Sequence, residues 1–283
     1  MHDASINVAE ANRNFAAQQD ELHPNGHQVG KYVTIHQFPR GVEVFIDEFY
    51  ETWSEPDPDA VDQKKADRGE GDRERNVERA ARRAKTKVRR LSKAMQADCL
   101  LTLTYRENVQ DKKRVQVDFK AFRQRLAALG KFSYVATLEK QERGAYHIHV
   151  ACHQFPAWLK NEEGVRVKSY NLIRSMWRRV VGRDNGNVDL TKPRGRNSSH
   201  RIACYIAKYV SKNVDGAELN AKSYWASRDI EVPKPERIWF PGSMETWEIV
   251  SMIAKRFIAK GYSDIAQYAD RLNAFHWFSA CLP

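Results

Sequence analysis

Glu139-Lys140-Gln141-Glu142-Arg143-Gly144-Ala145-Tyr146-His147-Ile148-His149 is the stretch whose reading decides the fold. Ile148 alone separates the two histidines. On a strand, alternate side chains face opposite ways, so both imidazoles point to one side while Ile148 enters a core. Phe132 to Leu138 also reads as a strand, and Arg143-Gly144 is a hairpin turn between the two runs. The hairpin carries Glu139 back towards the histidines. One carboxylate and two imidazoles on one face make a ligand set for a divalent metal with open positions. Glu142 competes as the carboxylate, but it falls in the turn. If the strand continues, His153 joins the same face as an alternative ligand.

The second constellation is Tyr205-Ile206-Ala207-Lys208-Tyr209-Val210-Ser211-Lys212, within Arg201 to Val214, which has helical apolar spacing. Tyr205 and Tyr209 lie one turn apart on one helix face. Lys208 and Lys212 repeat the offset. A plain amphipathic helix has the same pattern. The alternative is a pair of phenolic nucleophiles, for which a neighbouring lysine lowers the phenol pKa and a metal polarises the target phosphate.

With Leu100-Leu101-Thr102-Leu103-Thr104, these motifs stand in an order that resembles the HUH endonucleases of rolling-circle replication, in the two-tyrosine group. The Glu139 to His149 spacing is similar to helitron-type initiators, and Tyr205 to Lys212 to phage gene A-like ones. Tyr146 departs from the proline that helitron-type proteins often carry before the first histidine. The resemblance covers about Cys99 to Asn213. It implies a replication initiator that nicks and rejoins single-stranded origin DNA through a 5′-phosphotyrosine, leaving a free 3′-OH. It assigns Glu139, His147 and His149 to Mg2+ or Mn2+, and Tyr205 and Tyr209 to nucleophilic attack, with Lys208 and Lys212 stabilising charge. Alternatives are a two-tyrosine transposase, a mobilisation relaxase, or a non-catalytic DNA-binding protein. Relaxases of this type place the tyrosine near the N-terminus, the reverse of the order here. The expected partners are an origin hairpin or single strand, a host helicase and a polymerase.

Composition agrees with a polyanionic partner: the 283 residues carry a net charge of +11. Four scattered cysteines fit a reducing cytoplasm, in a bacterial host cell under this reading. Met1 to Asp20 is polar and unlike a signal peptide, and no apolar run has the length of a membrane span. No phosphate-binding loop of the Gly-x-x-x-x-Gly-Lys type occurs, so unwinding is left to another protein.

The expected domains are an N-terminal extension and linker over 1–71, the endonuclease domain over 72–240 and a helical segment over 241–283. Lys31 to Trp53 predicts two short strands about Pro39-Arg40-Gly41. Arg73 to Gln96 predicts a basic helix, with Arg82, Arg83, Arg89 and Arg90 as candidate phosphate contacts. Arg194 and Arg196 are further candidates in a basic loop before the tyrosine helix. Thr102 and Thr104 share a face, either that of the histidines or the opposite one. Val117 to Leu129 and Lys168 to Val181 have helical spacing, and Asp111 to Arg114 reads as a charged turn. Tyr224-Trp225 either stacks bases or fills a core. Glu245 to Lys260 and Tyr262 to Ala280 read as two helices. The expected class is α+β: a ferredoxin-like, split βαβ central antiparallel sheet with helices on one face.

Overall fold

The computed structural model describes residues 27–52, 73–193, 198–212, 224–270 and 275–282. Arg194 and Arg196 lie outside the described residues, as do 1–26 and the linker over 53–72. The chain divides into two compact units, residues 66–232 and residues 1–65 with 233–283. The class is α+β, with antiparallel sheets and five helices among the described residues.

Residues 66–232 are built on a sheet of β3 (Cys99–Tyr105), β4 (Tyr134–Lys140), β5 (Tyr146–Cys152), β8 (Gly186–Thr191) and β9 (Tyr224–Ala226). The order is β8-β3-β5-β4-β9, and every pairing is antiparallel. Leu101, Leu103, Ile148 and Val150 project to one face. There they meet Val115, Phe119 and Phe122 of α2 (Lys112–Ala127) and Ile173, Met176 and Trp177 of α3 (Ser169–Val181). Trp177 is fully buried, and its Nε1 donates to Thr104 O at 2.9 Å. Asp111, rather than forming only a turn, caps α2 by accepting from Lys113 N at 2.8 Å.

Helices cover both faces of this sheet, not one. Val88, Leu91 and Met95 of α1 (Arg73–Ala94) and the turn after it pack with Ile202, Ile206 and Val210 of α4 (Ser198–Lys212) over Val135 and Ala151. The reason lies in the strands. Tyr134 to Leu138 of β4 is buried at every position, so its apolar groups leave water on both sides.

The second unit carries a sheet of order β10-β1-β2-β12-β11. β1 (His27–Phe38) and β2 (Gly41–Thr52) form a hairpin, and β10 (Glu236–Pro241) pairs with β1. Helix α5 (Thr246–Ile258) places Ile249, Ile253 and Phe257 in its core with Val33, Val44 and Phe278. Tyr262 to Ala280 is not a helix. It forms β11 (Ser263–Asp270) and β12 (Phe275–Cys281), and β12 pairs with β2. Phe275-His276-Trp277-Phe278 is an aromatic run suited to a pleated surface, and pairing with β2 outweighs the helical spacing upstream.

Gly186 begins β8 against Trp177. A Cβ there would stand 2.8 Å from Trp177 Cδ1 and 2.8 Å from Val181 Cγ2. Gly186→Ala is therefore expected to cost about 1–3 kcal/mol through overpacking, read as a lower Tm by circular dichroism.

Candidate active site

The β4–β5 hairpin sets the first half of the site. Its register puts Glu139 opposite His147 and Thr137 opposite His149. The turn is closed by Gly144 N donating to Gln141 O at 2.8 Å, with Gly144 at φ +88°, where a side chain is strained. Glu142 is exposed in that turn. The strand ends at Cys152, so the alternation does not reach His153, which is exposed and lies 4.0 Å from Asp98 Oδ1.

Burial holds the His149 imidazole at 4% exposure, and both its nitrogens are occupied. Nε2 meets Glu139 Oε2 at 2.8 Å, and Nδ1 meets Thr102 Oγ1 at 3.2 Å. Thr102 faces His149 directly across the β3–β5 ladder, which settles which face it and Thr104 share. Gln141 Nε2 donates to Glu139 Oε2 at 3.0 Å and to His147 Nδ1 at 3.1 Å, so one amide joins the carboxylate to the second histidine. Sequence reasoning misses Gln141 and Thr102 as site residues. Gln141 stands in the quoted spacing, and Thr102 in the alternation of β3, but only strand register brings either to a histidine.

Helix α4 supplies the second half. Ile202, Ile206, Ala207 and Val210 are buried against the sheet and α1, and this fixes the rotation of the helix. Tyr209 then stacks on His149, ring centroids 4.3 Å apart and planes 16° apart. Tyr205 meets the same imidazole edge-on at 5.8 Å and Tyr209 at 5.1 Å. The two tyrosines differ sharply in access: Tyr205 is 42% exposed and Tyr209 6%. Lys208 is exposed one turn from Tyr205, and Lys212 is the last residue of α4.

The local electrostatics follow from burial. Desolvation lowers the His149 pKa below the usual histidine value, against the opposing hydrogen bond and charge of Glu139. Desolvation also lowers His147, helped by His149 and Arg143 and opposed by Glu139. Both imidazoles are thus neutral near pH 7, the form a metal requires. Tyr209 is raised well above the ordinary phenol value, first by burial, then by its hydrogen bond with Tyr205 and the nearby Glu139 charge.

The chemistry of the donors fits a divalent ion: one carboxylate, two neutral imidazoles and an adjoining amide. Thr137 Oγ1, opposite His149, is buried with no hydrogen-bond partner among the described residues, which leaves a place for a further polar ligand. As the side chains stand, however, no group of three or more His, Cys, Asp or Glu among the described residues is gathered for an ion. Glu139 and His149 are closed on each other, and Gln141 intervenes at His147.

The candidate phosphate contacts on α1 divide. Arg82 is exposed and paired with Glu78 at 2.6 Å, and Arg83 is exposed. Arg89 and Arg90 are half-buried where α1 packs beside α4. Trp225 packs against Phe119 at 5.3 Å and Tyr224 against the core under α1 and α4, so this pair serves the two cores rather than a base.

A family model for replication-associated proteins of the ORF2 type matches residues 98–214, the span from β3 to the end of the tyrosine helix. The phasyl DNA replicon protein arp of Escherichia coli is similar to this chain, at 29% identity over 125 residues. The alignment covers 41% of this chain and 43% of that protein, so the chain spans less than half the length of the curated relative it matches. No solved structure matches. Among the described residues, no helix is long and apolar enough to cross a membrane.

A difference ultraviolet titration of the native chain against Tyr209→Phe isolates the Tyr209 phenol. Its ionisation is expected above pH 10, the ordinary value for tyrosine. Ionisation at or below that value contradicts the buried stack.

Proposed function

We propose that the protein initiates DNA replication by the rolling-circle route, nicking and rejoining a single strand of origin DNA through Tyr205 and Tyr209. The observation that carries this reading is the meeting of His149 with both tyrosines, from stretches far apart in the chain, at 4.3 and 5.8 Å between ring centroids. The similarity of residues 98–214 to replication-associated proteins and the net charge of +11 point the same way.

Glu139, His147 and His149 are the residues to hold Mg2+ or Mn2+, and such an ion supplies Lewis-acid polarisation of a phosphoryl oxygen. Ion binding competes with the Glu139–His149 hydrogen bond. Tyr205, the accessible phenol, makes the first attack. Its oxygen forms a bond to phosphorus as the bond to the 3′ oxygen breaks, the phenol proton is released, and the departing oxygen takes one up. The products are a 5′-phosphotyrosine and a free 3′-OH, which can prime a polymerase. The ester keeps the phosphodiester's energy, so rejoining consumes no nucleotide triphosphate. Tyr209 is held in reserve by its stack and hydrogen bond, and is freed for a second cleavage once Tyr205 is esterified. Lys208 is placed on the helix to offset negative charge, and Lys212 one turn on shares this role. The basic face of α1, with Arg82 and Arg83, tracks the phosphate backbone. Unwinding and synthesis fall to a separate helicase and polymerase.

The test is a denaturant-stable covalent band with labelled single-stranded origin DNA and Mn2+. Tyr205→Phe is expected to lose most of the first-cleavage band, Tyr209→Phe to retain it but impair transfer, and the double variant to form none. A band that persists in the double variant sinks the tyrosine mechanism. No band from the native chain leaves a non-catalytic DNA-binding protein. Thr102→Val removes a hydrogen-bonding partner of His149 and is expected to weaken Mn2+ binding about 10–100-fold in calorimetry, as losing the partner of a metal-bound imidazole does.

A further inference from the structure

Residues 156–169 are used by none of the chemistry above, yet they build a firm projection. β6 (Trp158–Lys160) and β7 (Arg166–Lys168) pair as a short hairpin, with Trp158 opposite Lys168 and Lys160 opposite Arg166. Its inner face is Leu159 and Val167, packed against the core of the α2–α3 side. Asn161 Oδ1 accepts from Val165 N at 2.8 Å and Glu163 N at 3.1 Å, which shapes the turn. Arg179 of α3 holds Glu162 at 3.0 Å, and Ser169 N donates to Ala157 O at 3.1 Å at the base. The hairpin is therefore tied at the tip, the middle and the base.

The outer face consists of Trp158, Lys160, Arg166 and Lys168, all exposed, with Trp158 at 48%. The Arg166 guanidinium lies over the indole, 5.9 Å from its centroid. Among the described residues, none of these three cations has an ion pair. Of the two acids at the tip, Glu162 is held by Arg179 and Glu163 accepts from Asn161 Nδ2 at 3.5 Å. A large exposed aromatic ring framed by three cations on a rigid ribbon suits a partner with flat rings and regularly spaced negative charge. Alternate residues on a strand are about 6.7 Å apart, so the cations form a row beside the ring rather than one point charge. Single-stranded nucleic acid has both properties: its bases stack on aromatic faces in any sequence, and its phosphates follow the cations.

We propose that the outer face of β6–β7 binds single-stranded nucleic acid, with Trp158 stacking a base and Lys160, Arg166 and Lys168 holding the flanking phosphates. The hairpin packs on the α2–α3 side of the sheet, whereas His149 and the tyrosines face the α1–α4 side, so this surface is separate from the candidate active site. The class of ligand comes from this face alone. Only its being the same strand that Tyr205 cleaves rests on the function proposed above.

The experiment is anisotropy of a fluorescein-labelled oligothymidylate with the full chain at several salt concentrations. Trp158→Ala is expected to weaken binding about tenfold, and Trp158→Phe to restore most of it. The triple charge reversal Lys160→Glu, Arg166→Glu, Lys168→Glu is expected to flatten the slope of log affinity against log salt by about 2, at roughly 0.7 for each single-strand phosphate contact. Unchanged affinity in Trp158→Ala together with an unchanged slope in the triple variant, both with native circular dichroism, overturns the proposal. So does a duplex that binds as tightly as the single strand and ignores Trp158→Ala. The Tyr205→Phe, Tyr209→Phe chain keeps its hairpin and is expected to bind as the native chain does. A failed nicking reaction with Trp158-dependent binding intact condemns the catalytic reading alone. A covalent band beside hairpin variants that bind normally condemns this one alone.

Discussion

The stack of Tyr209 on His149 is the contact on which the candidate site depends. His149 is a polar ring held at 4% exposure, and burying such a group is unfavourable unless its nitrogens find partners. Thr102 from β3 and Glu139 from β4 supply them, and the face of the ring is covered by α4. Four elements therefore meet at one imidazole. Rotating α4 away would lose the stack and also withdraw Ile202, Ile206 and Val210 from the core they share with α1. The apolar stripe of the helix and the phenol stripe constrain one another.

The same face of the sheet changes character along its strands. On β4 it runs Val135, Thr137, Glu139, and on β5 it runs Ala151, His149, His147. At one end it is a structural core under α1 and α4, and towards the hairpin it becomes polar. The opposite face, closed by Trp177, Phe119 and Phe122, is apolar throughout. This division lets a basic helix lie beside the tyrosine helix. Packing that stabilises α1 also fixes where its cations lie, and Arg89 and Arg90 flank the very residues, Val88 and Leu91, that anchor it.

Much of the site is legible locally. The period of two puts His147 and His149 on one face, and the period near four puts the tyrosines on one helix face. Gly144 marks the turn that returns Glu139. The failures share a cause. Gln141 and Thr102 matter through strand register, which no local period carries. Tyr262 to Ala280 has helical spacing, but the edge of β2 takes Phe275–Cys281 as a strand. The expectation of helices on one sheet face ignores that Tyr134 to Leu138 is apolar enough to need cover on both sides.

By itself the sequence determined the chemical inventory and its local geometry: paired imidazoles on a strand, paired phenols on a helix, a carboxylate one turn away and a strong positive charge. Tertiary structure alone decided that these sets converge on one imidazole, that Tyr205 is open while Tyr209 is closed, and that segments far apart in the chain join in one sheet. Periodicity is fixed by backbone geometry over a few residues. Convergence is fixed by which faces of distant segments bury each other, and that competition is resolved only when the whole chain folds.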